Sequence, residues 1–143
     1  MKFSFFIDKN REEEIIVYAH EKTELLEQIK SLVADSSSQI IGYKESEIYQ
    51  IKIADIYCFS TESNKLYALT EKDKFLIKER LYTIEQSISK DFIKINKSCI
   101  ANIKKIDRFD ASISGTLVVK FKNGYSDYVS RRSVKSVKER LGL

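Results

Sequence analysis

The feature that most constrains this chain is its texture from residue 39 onward, where short alternating apolar and polar runs are each closed by a polar turn. Alternation with period two marks a strand with one buried face. QIIGYKESEIYQIK divides into two such runs around Lys44-Glu45-Ser46-Glu47, and ADIYCFSTESNKLYALT into two more around STESNK. In the second pair Ile56 and Cys58, then Leu66 and Ala68, are expected to share one buried face. EKDKFLIKERLYTIEQSIS holds a further strand and then a helix over residues 80–89, with Leu81, Ile84 and Ile88 marking its faces. FIKINKSCIANIKKIDRFD alternates again through Phe92, Ile95, Cys99, Ile100 and Ile103. SGTLVVKFKNGYSDYVS is a hairpin in which Leu117, Val119 and Phe121 point one way, and Asn123-Gly124 is the pair that favours a type I′ turn. RRSVKSVKERLGL closes the chain as a short basic helix packed through Val134, Val137 and Leu141, with Gly142 near its end.

The front end has a different texture. KFSFFID (2–8) and EEIIVYA (13–19) are β-prone runs flanking the turn-like Asp8-Lys9-Asn10-Arg11, and are expected to form a hairpin. A helix should follow, with Thr23 as N-cap, Leu25, Leu26, Ile29, Leu32 and Val33 at helical spacing, and an end near Asp35. Such a stripe is expected to turn inward. The fold expected is therefore α+β and mainly β: a β-β-α unit over 1–38, too small to hold a core alone, followed by a β-rich domain with short helices over 39–143.

Composition narrows the function. No apolar run approaches the roughly 20 residues a membrane helix needs, and the N-terminus is charged too soon for a secretory signal, so a cytoplasmic location is expected. Cys58 and Cys99 lie in apolar runs and read as buried reduced thiols. With one histidine, His20, and no CxxC or HxxxH spacing, no metal site is expected, and no cofactor or small-molecule substrate. No nucleophile–base pair and no glycine-rich phosphate loop is visible, so catalysis is not expected. Net charge is +4, but it is unevenly spread. Residues 1–42 carry 5 Lys+Arg against 8 Asp+Glu, residues 43–87 carry 7 against 8, and residues 88–143 carry 13 against 5, or −3, −1 and +8. A basic C-terminal segment suits a polyanion, although a solvated basic face would look the same.

Four stretches in order resemble the LytTR DNA-binding domain. They are ADIYCFSTESNKLYALT, the helix LYTIEQSIS, DFIKINKSCIANIKKID, and VKFKNGYSDYVSRRSVKSVKERLGL. The third is the most specific, being similar to the family pattern F-x-R/K-I-x-K/R-S-x-I-V/A-N-x-x-x-I. The resemblance covers roughly residues 39–143 and departs from the pattern only slightly, with Lys94 where Arg is common and Ala101 where Val is common. It implies an elongated β architecture that presents loops to successive major grooves of double-stranded DNA. Carried over by position, it assigns base contacts to Asn64, Asn102 and Arg131. It assigns backbone contacts to Lys65, Lys94, Lys97, Ser98, Ser130, Arg132 and Lys135. Only about 40 residues precede the domain, fewer than a receiver domain of ~100 residues needs, so control by aspartyl phosphorylation is not expected. The usual symmetry of operators leads to the expectation of a homodimer on repeated half-sites, and the resemblance to stand-alone members implies a regulatory membrane protein as a controlling partner.

The chemistry of these residue types agrees. Asn can donate and accept in one plane and so pair with an adenine edge, and Arg can reach guanine with two hydrogen bonds. Lys, Arg and Ser beside them would fix register on the phosphates. Each position also has a plainer reading. Asn102 could cap its own backbone, Asn64 could serve only the turn, and adjacent Arg131 and Arg132 must point apart on a helix. Two rival functions remain open at this point. One is a protein-interaction module with a basic surface. The other is an RNA binder, which would need Tyr57, Phe59, Tyr67, Tyr125 and Tyr128 exposed for base stacking.

Overall fold

The computed structural model describes residues 2, 4–11, 14–111 and 115–142, and for 34–37 the backbone path alone. The chain runs α1 (Glu24–Ser37), β1 (Gln39–Lys44), β2 (Glu47–Lys52), β3 (Cys58–Glu62), β4 (Lys65–Leu69), β5 (Lys74–Ile77), α2 (Leu81–Ser87), β6 (Phe92–Asn96), β7 (Cys99–Asn102), β8 (Ile106–Ala111), β9 (Leu117–Phe121), β10 (Ser126–Val129) and α3 (Arg131–Leu141). Short 3-10 turns occupy Ile53–Asp55 and Ile103–Lys105. The expected α+β, mainly β architecture is what the chain adopts.

The strands form two sheets, one of seven strands in the order β2-β1-β5-β4-β3-β7-β6 and one of three in the order β10-β9-β8. Every pairing is antiparallel. The large sheet is the middle layer. On one face Ile40, Ile51, Phe59, Leu66, Phe75, Ile77 and Ile100 pack with Ile84 of α2. On the other, Cys58, Ile95, Cys99 and Ala101 pack with Val119, Phe121 and Val129 of the small sheet and Val137 of α3. Period-two alternation sorts residues between the cores: Cys99 and Ala101 face one, and Ile100 between them faces the other.

This two-sided burial corrects one expectation. Ile56 and Cys58 do not share a face, and Ile56, Tyr57, Cys58 and Phe59 are all buried. The β3 segment is central and is covered on both sides, so local alternation with polar residues is not required of it.

The turns also differ from expectation. Asn123-Gly124 does not make a type I′ turn: only Gly124 has positive φ, Phe121 N donates to Tyr125 O, and Gly124 N donates to Phe121 O. That is a three-residue loop with glycine in the left-handed position. The two-residue turn with both φ values positive is Ser63-Asn64, at 52° and 64°, between the paired Glu62 and Lys65. Gly42 matters for a different reason. A Cβ there would lie 2.8 Å from Phe75 Cβ, so its absence lets the β1–β2 hairpin close on β5.

At the front end Thr23 caps α1, accepting from Leu26 N, and the helix continues past Asp35 to Ser37. The expected hairpin is a correction. Its turn forms, with Asn10 N donating to Asp8 Oδ1 at 3.0 Å, but the described residues of 2–8 and 13–19 make no strand ladder. An isolated two-stranded hairpin is marginal in water. Nor does the α1 stripe turn fully inward: Leu26 and Ile29 are half-buried, whereas Leu25, Leu32 and Val33 are exposed.

Candidate nucleic-acid interface

Three chain reversals meet at one end of the large sheet. The first is the Ser63-Asn64 turn closing β3–β4. The second is Lys97-Ser98 closing β6–β7, where Asn96 is paired with Cys99. The β3 and β7 strands are neighbours, and Thr61 N donates to Ser98 O at 2.8 Å, which sets these two turns side by side. The third is the step from β10 into α3, where Ser130 is the N-cap and its N–H donates to Ile95 O at 2.8 Å.

Asn96 ties the second reversal to the third. Its side chain is 1% exposed, and its Nδ2 donates to Tyr128 O at 2.9 Å and to Asp127 Oδ1 at 3.1 Å. Its Oδ1 accepts from Ser98 N at 2.8 Å. The network continues: Tyr125 OH donates to Asp127 Oδ2 and lies 3.3 Å from Ser60 Oγ. Burial raises the Tyr125 phenol well above its ordinary value, so it stays a donor to the carboxylate. Behind it lie the buried free thiols Cys58 and Cys99, and the Cys99 thiol is pushed up by its hydrogen bond with Cys58 and by burial.

The residues expected to touch DNA divide into four groups. Asn64, Lys65, Lys97, Ser98, Ser130 and Arg131 all stand at or beside the three reversals. Asn64, Lys65, Lys97 and Arg131 are exposed, and Ser98 and Ser130 are half-buried. Arg132 and Lys94 lie to the side, lining a cleft of about 450 Å³ between α2, β6 and α3. Lys94 there is shared with Glu85 at 3.4 Å. Lys135 is exposed one turn along α3. Among the described residues Lys65, Lys97, Arg131, Arg132 and Lys135 make no ion pair, whereas Lys104, Arg108 and Lys120 of the same basic segment pair with Asp91, Asp107 and Asp110. Three of the five acids in the C-terminal segment are thus paired with cations away from the three reversals, and the cations beside the reversals are left open.

Asn102 is the correction. It is 2% exposed, its Nδ2 donates to Ile56 O at 2.8 Å, and its Oδ1 accepts from Lys104 N at 3.1 Å. It also sits at the wrong end: β7 runs from Cys99 beside the reversals to Asn102, about 10 Å away at ~3.3 Å per residue. The amide caps the 3-10 turn Ile103–Lys105 and fastens β7 to the residue before β3. A side chain so placed has no atom to offer a base edge. The residue that sequence reasoning missed is Asn96, which is buried and organises the turns. The only sequence signal for Asn96 is a polar residue inside an apolar strand, paired with nothing local.

The aromatic residues do not form a stacking platform. Tyr57 and Phe59 are in the two cores, and Tyr67 and Tyr125 are half-buried, leaving Tyr128 exposed among the five considered. Among the described residues no His/Cys/Asp/Glu group is placed to hold a metal ion, and no helix is long and apolar enough to cross a membrane.

A β-built domain that gathers turn residues and unpaired cations at one end is organised as a nucleic-acid-binding module. The chain belongs to the LytTR family: the model of the LytTr DNA-binding domain matches residues 46–142. It is similar to an uncharacterized HTH-type transcriptional regulator of Staphylococcus aureus (strain NCTC 8325 / PS 47), 33% identical over 146 residues that cover 100% of this chain and 99% of that protein. The corresponding regulator of the bovine strain RF122 / ET3-1 is 34% identical over the same span. Among solved structures, the LytTr DNA-binding domain of a methyl-accepting/DNA response regulator from Bacillus cereus superposes with a TM-score of 0.70 at 20% identity, covering 75% of this chain and 99% of that one. That likeness is one of fold. Although those relatives' names say helix-turn-helix, the three helices here are separated by strands. The chain carries a DNA-binding domain and is a DNA-binding regulator.

Proposed function

We propose that this regulator reads the major groove of double-stranded DNA through the end formed by Ser63-Asn64, Lys97-Ser98 and Ser130-Arg131. The observation that carries the reading is the Asn96 staple, which spends a fully buried amide on holding two of these reversals in one register. Buried polar networks that are fully satisfied rigidify a site. Asn64 and Arg131 are the base readers in this proposal, and Asn102 is not. Lys65, Lys97, Arg132 and Lys135 meet phosphates, and Ser98 and Ser130 support them. Lys94 can join only by giving up an exposed ion pair, which costs little.

In this reading residues 39–143 bind DNA and residues 1–38 serve assembly, so the protein occupies two half-sites as a homodimer inside the cell. A regulatory membrane protein is its controlling partner in the same reading.

The test is fluorescence anisotropy with DNA from upstream of the protein's own coding region against random DNA of equal length, at two salt concentrations. Affinity should fall steeply with salt, with a log–log slope near −0.9 per phosphate contact, and Lys97→Ala should flatten it by about one contact. Arg131→Ala should lose ~1–3 kcal/mol on the preferred fragment and far less on random DNA. Equal losses on both would remove Arg131 as a reader.

A further inference from the structure

A second cleft, of about 590 Å³, opens at the end of the large sheet opposite the three reversals. It is bordered by β2, by the turn between β4 and β5, and by residues just before β3. The β4 strand spans the distance. Lys65 stands beside the Ser63-Asn64 turn, and Leu69, about 13 Å along at ~3.3 Å per residue, leads into residues 70–73 at the cleft. Lys105 reaches the same end, because β7 runs away from the reversals to Asn102 and the 3-10 turn that follows it. The walls are apolar. Ile51 and Phe75 reach the cleft from one core and Tyr57 from the other. The exposed Tyr49 sets its ring 5.1 Å from that of Phe75, and Lys105 Nζ stands 5.2 Å from the centre of the Tyr57 ring. Such a size, with an aromatic lining and a few charged groups, is ordinary for a small-molecule site.

The charges around the cleft select the ligand. Lys52, Lys72 and Lys105 border it together with Asp55 and Glu71, and among the described residues none of these five makes an ion pair. The remaining acid of the lining, Asp73, is taken by Lys44. A phosphate or a fatty acid calls for cations without acids, and a polyamine for the reverse. Open charges of both signs around aromatic walls complement a ligand that carries both charges and a ring.

We propose that this cleft binds a free aromatic α-amino acid as its zwitterion. The ring lies against Tyr49, Tyr57 and Phe75, the carboxylate faces the lysines, and the ammonium faces Asp55 and Glu71. Aromatic rings pack offset or edge-to-face with centroids roughly 4.5–7 Å apart, so walls of this kind favour a ring over a straight chain. The Lys105 ammonium, already drawn to the face of Tyr57, stands where the ring and the carboxylate of such a ligand meet. For a ligand of this size in an open cleft, a Kd on the order of 0.1–1 mM is expected. The site lies away from the DNA-reading end, so the regulator holds the amino acid and DNA at once. The assignment stands whichever residues read the bases.

The chain contains no Trp, so indole fluorescence excited at its red edge comes from the ligand alone. The experiment titrates the full chain into L-tryptophan, tryptamine and indole-3-propionate. Tryptophan should show a saturable spectral shift. Tryptamine lacks the carboxylate and indole-3-propionate the ammonium, and each should bind about tenfold more weakly or worse. Asp55→Asn/Glu71→Gln alters only exposed side chains, so circular dichroism and thermal midpoint should be unchanged. It should weaken tryptophan about tenfold and leave indole-3-propionate no weaker than before. Tyr49→Ala should weaken all three ligands. No saturation by tryptophan well above the expected range, equal affinity for the three ligands, or wild-type binding by both variants would each overturn the assignment. Displacement of tryptophan by an equal concentration of a nucleoside monophosphate would overturn it in favour of a nucleotide site.

Discussion

Asn96 Nδ2 donates to the carbonyl of Tyr128 at 2.9 Å, joining the turn after β6 to the last residues of β10 across the interior of the domain. The two residues are 32 apart in sequence. Through this bond, and the one to Asp127, the Lys97-Ser98 turn is tied to the segment that leads into α3. Asn96→Ala leaves the Ser98 amide and the Tyr128 carbonyl without that partner. The expected cost is about 1–3 kcal/mol per unsatisfied buried group. Urea denaturation measures it. In the folded variant, preference for specific over random DNA should drop while affinity for random DNA holds. Unchanged preference would mean that the two reversals do not act together.

Asn102→Ala separates structure from recognition in the opposite direction. Its amide is spent on Ile56 O and Lys104 N, so the variant should lose about 1–3 kcal/mol of stability. Below its unfolding transition it should bind specific DNA as wild type does. Lost specificity in a fully folded variant would restore Asn102 to the reading surface.

Asn64 has two separable duties. Its φ of 64° favours Gly or Asn, so Asn64→Gly should preserve the turn and Asn64→Val should cost on the order of 1 kcal/mol or more. A base contact, by contrast, is lost equally in both. Thermal midpoints and anisotropy with the preferred fragment, taken together, tell the duties apart. If the Gly variant binds with full preference, Asn64 serves the turn only.

Alkaline pH should weaken the fold before it weakens any exposed ion pair. Both Cys99 and Tyr125 are raised above their ordinary values of 9.0 and 10.0, by a thiol hydrogen bond with burial and by burial respectively. The folded state therefore keeps these protons where the unfolded state releases them. Fewer protons on the unfolded chain means that stability falls as pH rises. The stabilisation is full below pH 9 and declines above it, first through Cys99 and then, past pH 10, through Tyr125. Denaturant midpoints across this range should decline less steeply in Cys99→Ala. An identical slope would place the alkaline sensitivity elsewhere.

The sequence by itself determined the strand-and-turn pattern from residue 39 to Ser130, the capped helix after Thr23, the basic terminal helix and the family motif across residues 91–106. These are local properties: side-chain period, turn chemistry and capping act over a few residues. Only the tertiary structure decided what Asn96 and Asn102 do. Both end a strand of the same hairpin, and both are buried amides in an apolar run. The pairing of Asn102 with Phe92, and of Asn96 with Cys99, sends one to the far end and the other to the DNA-reading end. Spacing fixes which face a residue takes, but strand direction and register fix which end it reaches, and those are set by distant partners. The same reason hid the two-sided burial of β3 and left the front arms without a sheet, since a strand-prone run becomes a strand only where a partner edge is supplied.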